Sequence, residues 1–587
     1  MKYFDLVITD SLMWLVELCY KIIPNYFVAI ILFALIVRII LFPFSLWSQV
    51  QAVKLAKIKP QLDDIKAYSG HDWRLLLKEQ KKLYKKEKYS TFISLLPLLL
   101  QIPVIIGVLR GVEASGILAA VPTTLLLPLL SALSAFLLCY VQNICNVLAK
   151  GMGFFAKWGL AIFLTIFSLY FTITCGVGFG VYWTAGNMFA IVVQLACNAI
   201  FNPKKYVTYE VLPPIKKDRQ LIKRQKAKQK IDVAKFAKEK KNLVFYSEAN
   251  GFYKYFKGMI DYILENSKIR VHYLTSDVDD QVFAVDNPKF HAYYCGPRKL
   301  VSTLMKLDCR VAIMSMPDLQ RYQYKRSIIN KKIEYIFVDH SFCSLALMSR
   351  KHAYDHFDTI FCYGKSYNEE IRAMEKYYGT KEKKLVNTGY ALYENLDKKY
   401  KPKTNKKKTI IIAPSWQKDN ILESCIDEIM KELCKTDYSV IIRPHPEFTK
   451  RFPQKIELLK SKYKDMLQLD FSTDILDADV VISDWSSAAW EFSYATNKPS
   501  LFINTPMKVM NPDWDKYGIT PIDIDLREKI GRSVELNEIN KICNKLESLK
   551  EVKAPRAIIE KIMYDSKNAS RESGEYIIKA VKNGVNR

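Results

Sequence analysis

Long blocks free of charge constrain this chain more than any other feature of its sequence. Ile22 to Trp47 is 26 residues with one charged side chain, Arg38, and Tyr89 to Leu109 is 21 residues with none. Ala114 to Ala149 is 36 uncharged residues, and Trp158 to Pro203 is 46. A hydrocarbon core of about 30 Å is crossed by about 20 apolar helical residues, and buried helices of soluble proteins rarely run so far without charge. Gly176, Gly178 and Gly180 interrupt the last block, so it reads as two spans joined by a glycine turn. The total is five, over residues 1–203.

Lysine and arginine give the orientation. Residues 48–91 carry 11 basic and 5 acidic side chains, and residues 204–241 carry 14 and 4. Both segments belong on the cytoplasmic side by the positive-inside rule, which places the N-terminus outside and everything after Asn202 inside. Asp5, Asp10 and Glu17 spoil a cleavable signal. Leu12, Leu15, Val16 and Leu18 predict instead an amphipathic helix on the outer interface. Gln49–Tyr68 and Trp73–Lys88 read as a basic helical hairpin, parted by the turn Ser69-Gly70-His71-Asp72. Arg38 lies deep in the first span, where a guanidinium is costly unless solvated or paired. No carboxylate in the spans stands ready to neutralise it, so a water-filled cavity that attracts acidic client segments is expected.

The run Asn25 to Gln49, the segment Leu95 to Val108 and Gly180 to Leu195 resemble the YidC family of membrane protein insertases over about residues 1–203. Arg38 matches that family's groove arginine, and residues 48–91 its cytoplasmic hairpin. The resemblance implies a hydrophilic groove open to cytoplasm and lipid. Its implied partners are the lipid bilayer and nascent membrane-protein segments, with the ribosome as a further candidate. With no large domain before the first span, the pattern is nearest the short Gram-positive form.

The rest of the chain has another character, which the mean hydropathy of −0.04 conceals. A 50% hydrophobic and 13% aromatic composition excludes disorder as the main state, and 587 residues make three to four domains. The 12 cysteines contain no C-x-x-C pair, which leaves zinc ribbons and dithiol redox sites unindicated. No H-E-x-x-H is present, and no metal is expected. Residues 204–241, broken by Pro213-Pro214 and helical from Lys216 to Lys240, read as a solvated basic linker.

Strands then alternate with helices: Leu243–Tyr246, Val271–Leu274, Val311–Met314, Tyr335–Val338 and Thr359–Cys362. After a basic break, Lys399 to Lys408, come Thr409–Ile412, Ser439–Ile442, Val480–Ile482 and Ser500–Ile503. This alternation predicts parallel sheets in two Rossmann-like units, 242–398 and 399–587, with C-terminal helices over 555–583. The whole is an α-helical five-span membrane domain followed by soluble α/β.

Doubly wound sheets bind ligands beyond the carboxyl ends of their strands, and the residues there are polar. His340 follows one strand, Pro414-Ser415-Trp416 the next unit's first, Arg443-Pro444-His445 another, and Ser483-Asp484-Trp485-Ser486-Ser487 the last. The last turn opens a helix, whose free N–H groups and serine hydroxyls suit a phosphate. With Asn387-Thr-Gly-Tyr390, Glu491 and Lys498-Pro499, this set resembles the TagF-like CDP-glycerol glycerophosphotransferases of teichoic-acid synthesis, a GT-B fold, over about residues 242–545. Ser341-Phe342 stands where that family has Gly-Thr, and Gln417 where it has arginine. The resemblance implies a cytidine nucleotide donor, CDP-glycerol, no further cofactor, and a lipid-linked or polymeric acceptor. It implies His340 as base on the acceptor side and His445 as donor to the leaving group. Arg443, Ser415, Ser483, Ser486 and Ser487 fall to the donor phosphates, with Asp484 and Glu491 orienting loops or glycerol. The expected place is the bacterial cell membrane, multi-pass, with the C-terminal domain cytoplasmic. Two other readings stay open: an insertase with a non-catalytic extension, and a nucleotide-sugar glycosyltransferase on the same fold.

Overall fold

A computed structural model of the chain describes residues 2–583 except 71, 116–123, 212, 214–217, 403–406 and 471–472. His71 of the expected hairpin turn, Pro214 and Lys216 of the linker, and parts of the Ala114–Ala149 block and of the Lys399–Lys408 break lie outside the described residues. The chain forms two compact units, Met1–Lys216 and Lys217–Arg587.

The first unit is helical: α1 (Lys2–Ile22), α2 (Tyr26–Ser69), α3 (Trp73–Lys86), α4 (Thr91–Ser115), α5 (Leu126–Cys145) and α6 (Phe154–Ile200). Among the described residues, four segments are long and apolar enough to cross a membrane: Tyr26–Ser69, Thr91–Arg110, Leu126–Cys145 and Phe154–Tyr206. The first apolar block and the first arm of the basic hairpin are one continuous helix, α2, opened by the Asn25 side chain accepting from the Phe27 and Val28 N–H groups. Its end needs a positive φ, which Gly70 supplies at 54°. The Asp72 carboxylate, accepting the Leu75 N–H at 3.0 Å, then opens α3.

The helix α6 breaks at Gly176, whose φ of 82° and ψ of −177° are not helical. The indole N–H of Trp183 donates to Ser168 Oγ at 2.8 Å, and Phe171 meets Phe179. Two helical stretches therefore lie against each other, each about 35 Å long at 1.5 Å per residue. Small residues and hydroxyls join the helices: Thr172 bonds Ser131 at 2.9 Å and Asn187 bonds Ser134 at 3.1 Å. Such contacts suit apolar surroundings, where packing and interhelical hydrogen bonds hold helices together. Leu12, Leu15 and Val16 of α1 rest on the core of Phe33, Val37 and Tyr182, while Leu18 is exposed.

The second unit holds two all-parallel sheets. β1 (Leu243–Ser247), β2 (Val271–Thr275), β3 (Phe290–Tyr294), β4 (Val311–Met314), β5 (Glu334–Phe337), β6 (Thr359–Cys362) and β7 (Lys384–Asn387) pair in the order β3-β2-β1-β4-β5-β6-β7. β8 (Thr409–Ile412), β9 (Ser439–Ile442), β10 (Val480–Ser483), β11 (Ser500–Asn504) and β12 (Gly531–Glu535) pair in the order β12-β11-β10-β8-β9. Central strands such as Ile410-Ile411-Ile412 are buried on both faces, as parallel sheets covered by helices require. Each of the nine expected strands is present, and three more appear, all at sheet edges: β3, β7 and β12.

Two departures concern boundaries. The second half of the basic linker is α7 (Arg219–Lys238), started by Asp218 accepting from Gln220 and Leu221. It is an element of the sheet layer and not a free tether, because Phe236 is buried against the Tyr293 ring of β3. At the far end, helix Pro555–Ile562 packs on helix Ala488–Thr496 of the second sheet, but helix Ala569–Asn583 crosses back and packs on α8 (Tyr253–Asn266) of the first. Tyr262 of α8 meets Gly574 there so closely that a Cβ would stand 2.4 Å from its ring.

Candidate functional site

In the membrane-type unit, Arg38 is caught by neutral oxygens. Its Nε donates to the Gly186 carbonyl at 3.0 Å and its Nη1 to Gln101 Oε1 at 3.2 Å. These bonds orient the guanidinium without cancelling its charge, and Arg38 stays partly accessible. The break at Gly176 positions this site, since it returns the chain so that Gly186 faces α2.

In the second unit the polar turns named from the sequence converge where the carboxyl ends of the two sheets meet. His340 follows β5, and Ser315 follows the neighbouring strand β4. Imidazole Nδ1 of His340 lies 3.1 Å from the Ser315 carbonyl oxygen. A carbonyl only accepts, so Nδ1 carries the proton and Nε2 presents a lone pair. Phe252 and Tyr255 wall the ring. Enclosure in the cleft pushes the imidazole down to about 4, helped by the charges of Lys508 and Lys254 against the Ser315 bond.

His445 follows β9 and caps helix Pro446–Arg451. Its Nδ1 accepts the Glu447 N–H at 3.1 Å, so here the proton is on Nε2. Burial, with Lys508 close by, lowers this imidazole to about 3. Both histidines are neutral near pH 7, and they feel each other electrostatically. The cleft therefore holds a neutral acceptor and a neutral donor.

The other expected residues divide into those facing the cleft and those holding it. Asp484 is buried and accepts from the backbone N–H groups of Ser415 at 2.7 Å, Trp485 at 2.6 Å and Ile421 at 3.1 Å. It fixes two strand-end loops. Ser483 likewise donates to the Ala413 carbonyl at 2.7 Å. Ser415 Oγ is buried with no hydrogen-bond partner among the described residues. Ser486 Oγ accepts the Ala488 N–H at 3.4 Å, and Ser487 precedes helix Ala488–Thr496 without capping it through its side chain. Arg443 donates to the Thr473 carbonyl at 3.3 Å, and burial lowers its pKa despite Asp474 and Glu491. Glu491 forms an ion pair at 3.7 Å with Lys254 of α8, tying one sheet layer to the other.

Three cleft residues were not named from the sequence. Lys254 follows Phe252-Tyr253, in a segment that reads only as an amphipathic helix. Lys508 lies in the loop after β11, its ammonium 5.4 Å from the Trp416 ring, with no carboxylate at ion-pair distance among the described residues. Burial lowers its pKa, against nearby Cys343 and Asp523. Asp339 precedes His340, accepts the His340 N–H at 2.7 Å and the Tyr367 hydroxyl at 3.2 Å, and is raised by burial to about 7. The order Val338-Asp339-His340 was the one available signal for it.

Two family descriptions match the chain in series. "60Kd inner membrane protein" matches residues 18–205, and "CDP-Glycerol:Poly(glycerophosphate) glycerophosphotransferase" matches residues 310–553. Among curated relatives, the membrane protein insertase YidC of Shewanella sp. (strain MR-7) is 32% identical over 193 residues, 31% of this chain and 35% of that protein. YidC of Shewanella loihica is 31% identical over the same length. The chain thus spans about a third of the length of these relatives. Among solved structures, the wall teichoic acid polymerase TagF aligns with 63% of this chain and 96% of its own, at 13% identity and a TM-score of 0.40. UDP-GlcNAc 2-epimerase of Methanocaldococcus jannaschii aligns with 58% and 99%, at 12% and 0.37. This is a membrane protein in which a YidC-like domain, matching the 60Kd inner membrane protein family, is joined to a glycerophosphotransferase-like domain.

Proposed function

We propose that the second unit transfers glycerol phosphate from CDP-glycerol to a hydroxyl of a lipid-linked or polymeric acceptor, on two Rossmann-like layers facing across a GT-B cleft. The opposite tautomers of His340 and His445 carry this reading. Nε2 of His340 takes the proton of the acceptor hydroxyl as its oxygen attacks the β-phosphorus. The bond from that phosphorus to the bridging oxygen breaks, and CMP leaves with a hydrogen bond from Nε2–H of His445. Charge gathers on the phosphoryl oxygens in such a transfer. Lys508, Arg443 and the N–H groups after Ser486 and Ser487 are the donors for it, and the unpartnered Ser415 hydroxyl is a further one. No cofactor beyond the donor nucleotide enters these steps.

A donor screen on the full chain in lipid nanodiscs tests the reading. CMP release with CDP-glycerol is the expected result. Release of CDP or UDP from a nucleotide sugar would assign glycosyl transfer instead, and tight binding without turnover would leave a regulatory module.

For the first unit we infer five crossings, with the N-terminus outside and the transferase unit cytoplasmic, where its nucleotide donor is. The reversal at Gly176 supports this count, and a reporter after residue 583 is expected to read cytoplasmic. The uncompensated charge of Arg38 supports an insertase groove for acidic nascent segments over a bare anchor. Arg38→Ala should impair insertion of a client with an acidic segment, and Arg38→Lys should keep part of it because the charge survives. Full complementation by Arg38→Ala would reduce this half to an anchor.

A further inference from the structure

One large cavity of the second unit is not the catalytic cleft. It opens at the amino ends of the first sheet, has a volume of about 1170 Å³, and takes its lining from α7, α9 (Pro297–Met305), the start of β5, the edge strand β7 along its length, and helix Ala569–Asn583. Strands of four or five residues at about 3.3 Å each put it ~13–17 Å from the carboxyl ends, where the histidines stand.

Its charge is one-sided. Eight lysines and arginines line it against three carboxylates, and the carboxylates are already engaged. Glu239 pairs with His272 at 3.2 Å and accepts from Tyr293. Glu334 accepts from Thr359 at 2.7 Å and from Tyr576 at 2.6 Å. Asp308 accepts from Asn330 at 2.8 Å. Five of the cations are not matched in this way. Lys241 is buried and donates only to backbone carbonyls. Lys240, Lys299, Lys306 and Lys579 line the cavity, and their side chains make no hydrogen bond or ion pair among the described residues. Lys299, Ser302 and Thr303 of α9 and Lys306 just past its end recur at the spacing of one helix face, so this one segment presents two cations flanking two hydroxyls.

We propose that this cavity is a second binding site, for phosphate-bearing repeats of a glycerol phosphate polymer upstream of the reacting end. The inference rests on the acceptor reading above and deepens it. Such a polymer carries a negative charge at each repeat with free hydroxyls between. That pattern suits lysines on several walls separated by Ser302, Thr303, Asn387 and Asn583. A small-molecule pocket is about 300–1,000 Å³, so the larger volume suits several repeats and not one headgroup. A concave site with cations on facing walls encloses a chain better than it meets a flat bilayer. Because the cavity is remote from the histidines, only an acceptor long enough to pass around the sheet edge fills both. The site would then favour acceptors already elongated and keep a growing chain bound between transfers.

The test uses the full chain in nanodiscs of zwitterionic lipid, with a labelled glycerol phosphate oligomer as probe and a Lys299→Glu/Lys306→Glu/Lys579→Glu variant. Binding of a long oligomer should weaken by at least on the order of tenfold, because reversed charges repel its phosphates, and KM for a long acceptor should rise equally. Turnover of a short acceptor that ends within the cleft should not change, which also reports that the variant is folded. The corresponding Lys→Gln variant should show the same loss in smaller measure. Unchanged oligomer binding and unchanged KM would overturn the proposal. So would a variant that keeps the oligomer but loses phosphatidylglycerol vesicles or RNA. If the wild type releases CMP from no donor, the transfer reading fails, while the binding comparison, which needs no turnover, still decides the cavity.

Discussion

The two walls of the cleft come from parallel sheets of similar design, yet they present their histidines with opposite proton polarity. On the first wall, His340 stands at the end of a strand beside another strand end, so the backbone group within reach is the Ser315 carbonyl. On the second, His445 stands at the start of a helix, where the group within reach is the Glu447 N–H. Strand ends offer carbonyls and helix starts offer unpaired N–H groups. One residue type is thereby set as an acceptor on one side and a donor on the other. The walls also differ in their ionisable groups: Lys254 and buried Asp339 belong to the first, and Arg443, Lys508 and Glu491 to the second.

Substitution by glutamine probes this asymmetry most strongly. Loss of a general base costs about 10²–10⁴-fold in rate, so His340→Ala and His340→Gln should both lose that much CMP release, because an amide takes up no proton. His445→Ala should fall comparably, but His445→Gln keeps an N–H donor and should stay within about tenfold of the wild type. Equal rates for the two glutamine variants would remove the difference between the walls.

A smaller effect is expected from pH. With both imidazoles lowered, to about 4 and about 3, the rate should be flat from about pH 6 to 8 and fall only as pH drops toward the acid range. The charge of Lys508 contributes to both depressions, so Lys508→Met should bring the acid limb nearer neutrality while lowering kcat/KM. A wild-type limb at the ordinary histidine pKa, near 6.5, would mean that the base lies elsewhere.

The smallest concerns stability and the first wall alone. Burial raises Asp339 to about 7, well above the usual carboxylate value, so the folded protein holds this proton more tightly than the unfolded chain. The contribution is fully present below about pH 4 and is lost as pH rises to about 7. In urea titrations, Asp339→Asn should gain stability relative to the wild type over that window. A difference that does not change with pH would show Asp339 to be ionised throughout.

How far the sequence disclosed this molecule depended on where each element lies. The nine strands it indicated are mostly interior, and burial on both faces makes them apolar runs. The three it did not indicate are edges: Phe290-His-Ala-Tyr-Tyr294, Lys384-Leu-Val-Asn387 and Gly531-Arg-Ser-Val-Glu535. Edge strands have a solvated side, so polar residues interrupt the pattern. The strand-end motifs of the cleft were legible because they are short and local. Asp484 was expected to orient loops, but which loops it joins was not legible, nor was the brace formed by Ser483, since their partners lie 63 to 70 residues away. Lys254 and Lys508 belong to no motif in a chain with 87 lysines and arginines, where one cation looks like the next until folding selects it. Proton positions on the histidines depend on backbone neighbours 25 residues away in one case and two in the other, so residue identity alone cannot show them.

The return of helix Ala569–Asn583 to α8 has a consequence for synthesis. Elongation is vectorial, about 5–20 residues per second, and domains commonly fold as they emerge. Here the layer that covers β1 and β4 is completed by residues made more than 300 positions after α8 begins. Through that interval, tens of seconds at those rates, the α8 surface around Tyr262 waits without its cover. The two sheets thus share a single finishing step, and a ribosome stalled between them would hold out an apolar surface whose partner does not yet exist.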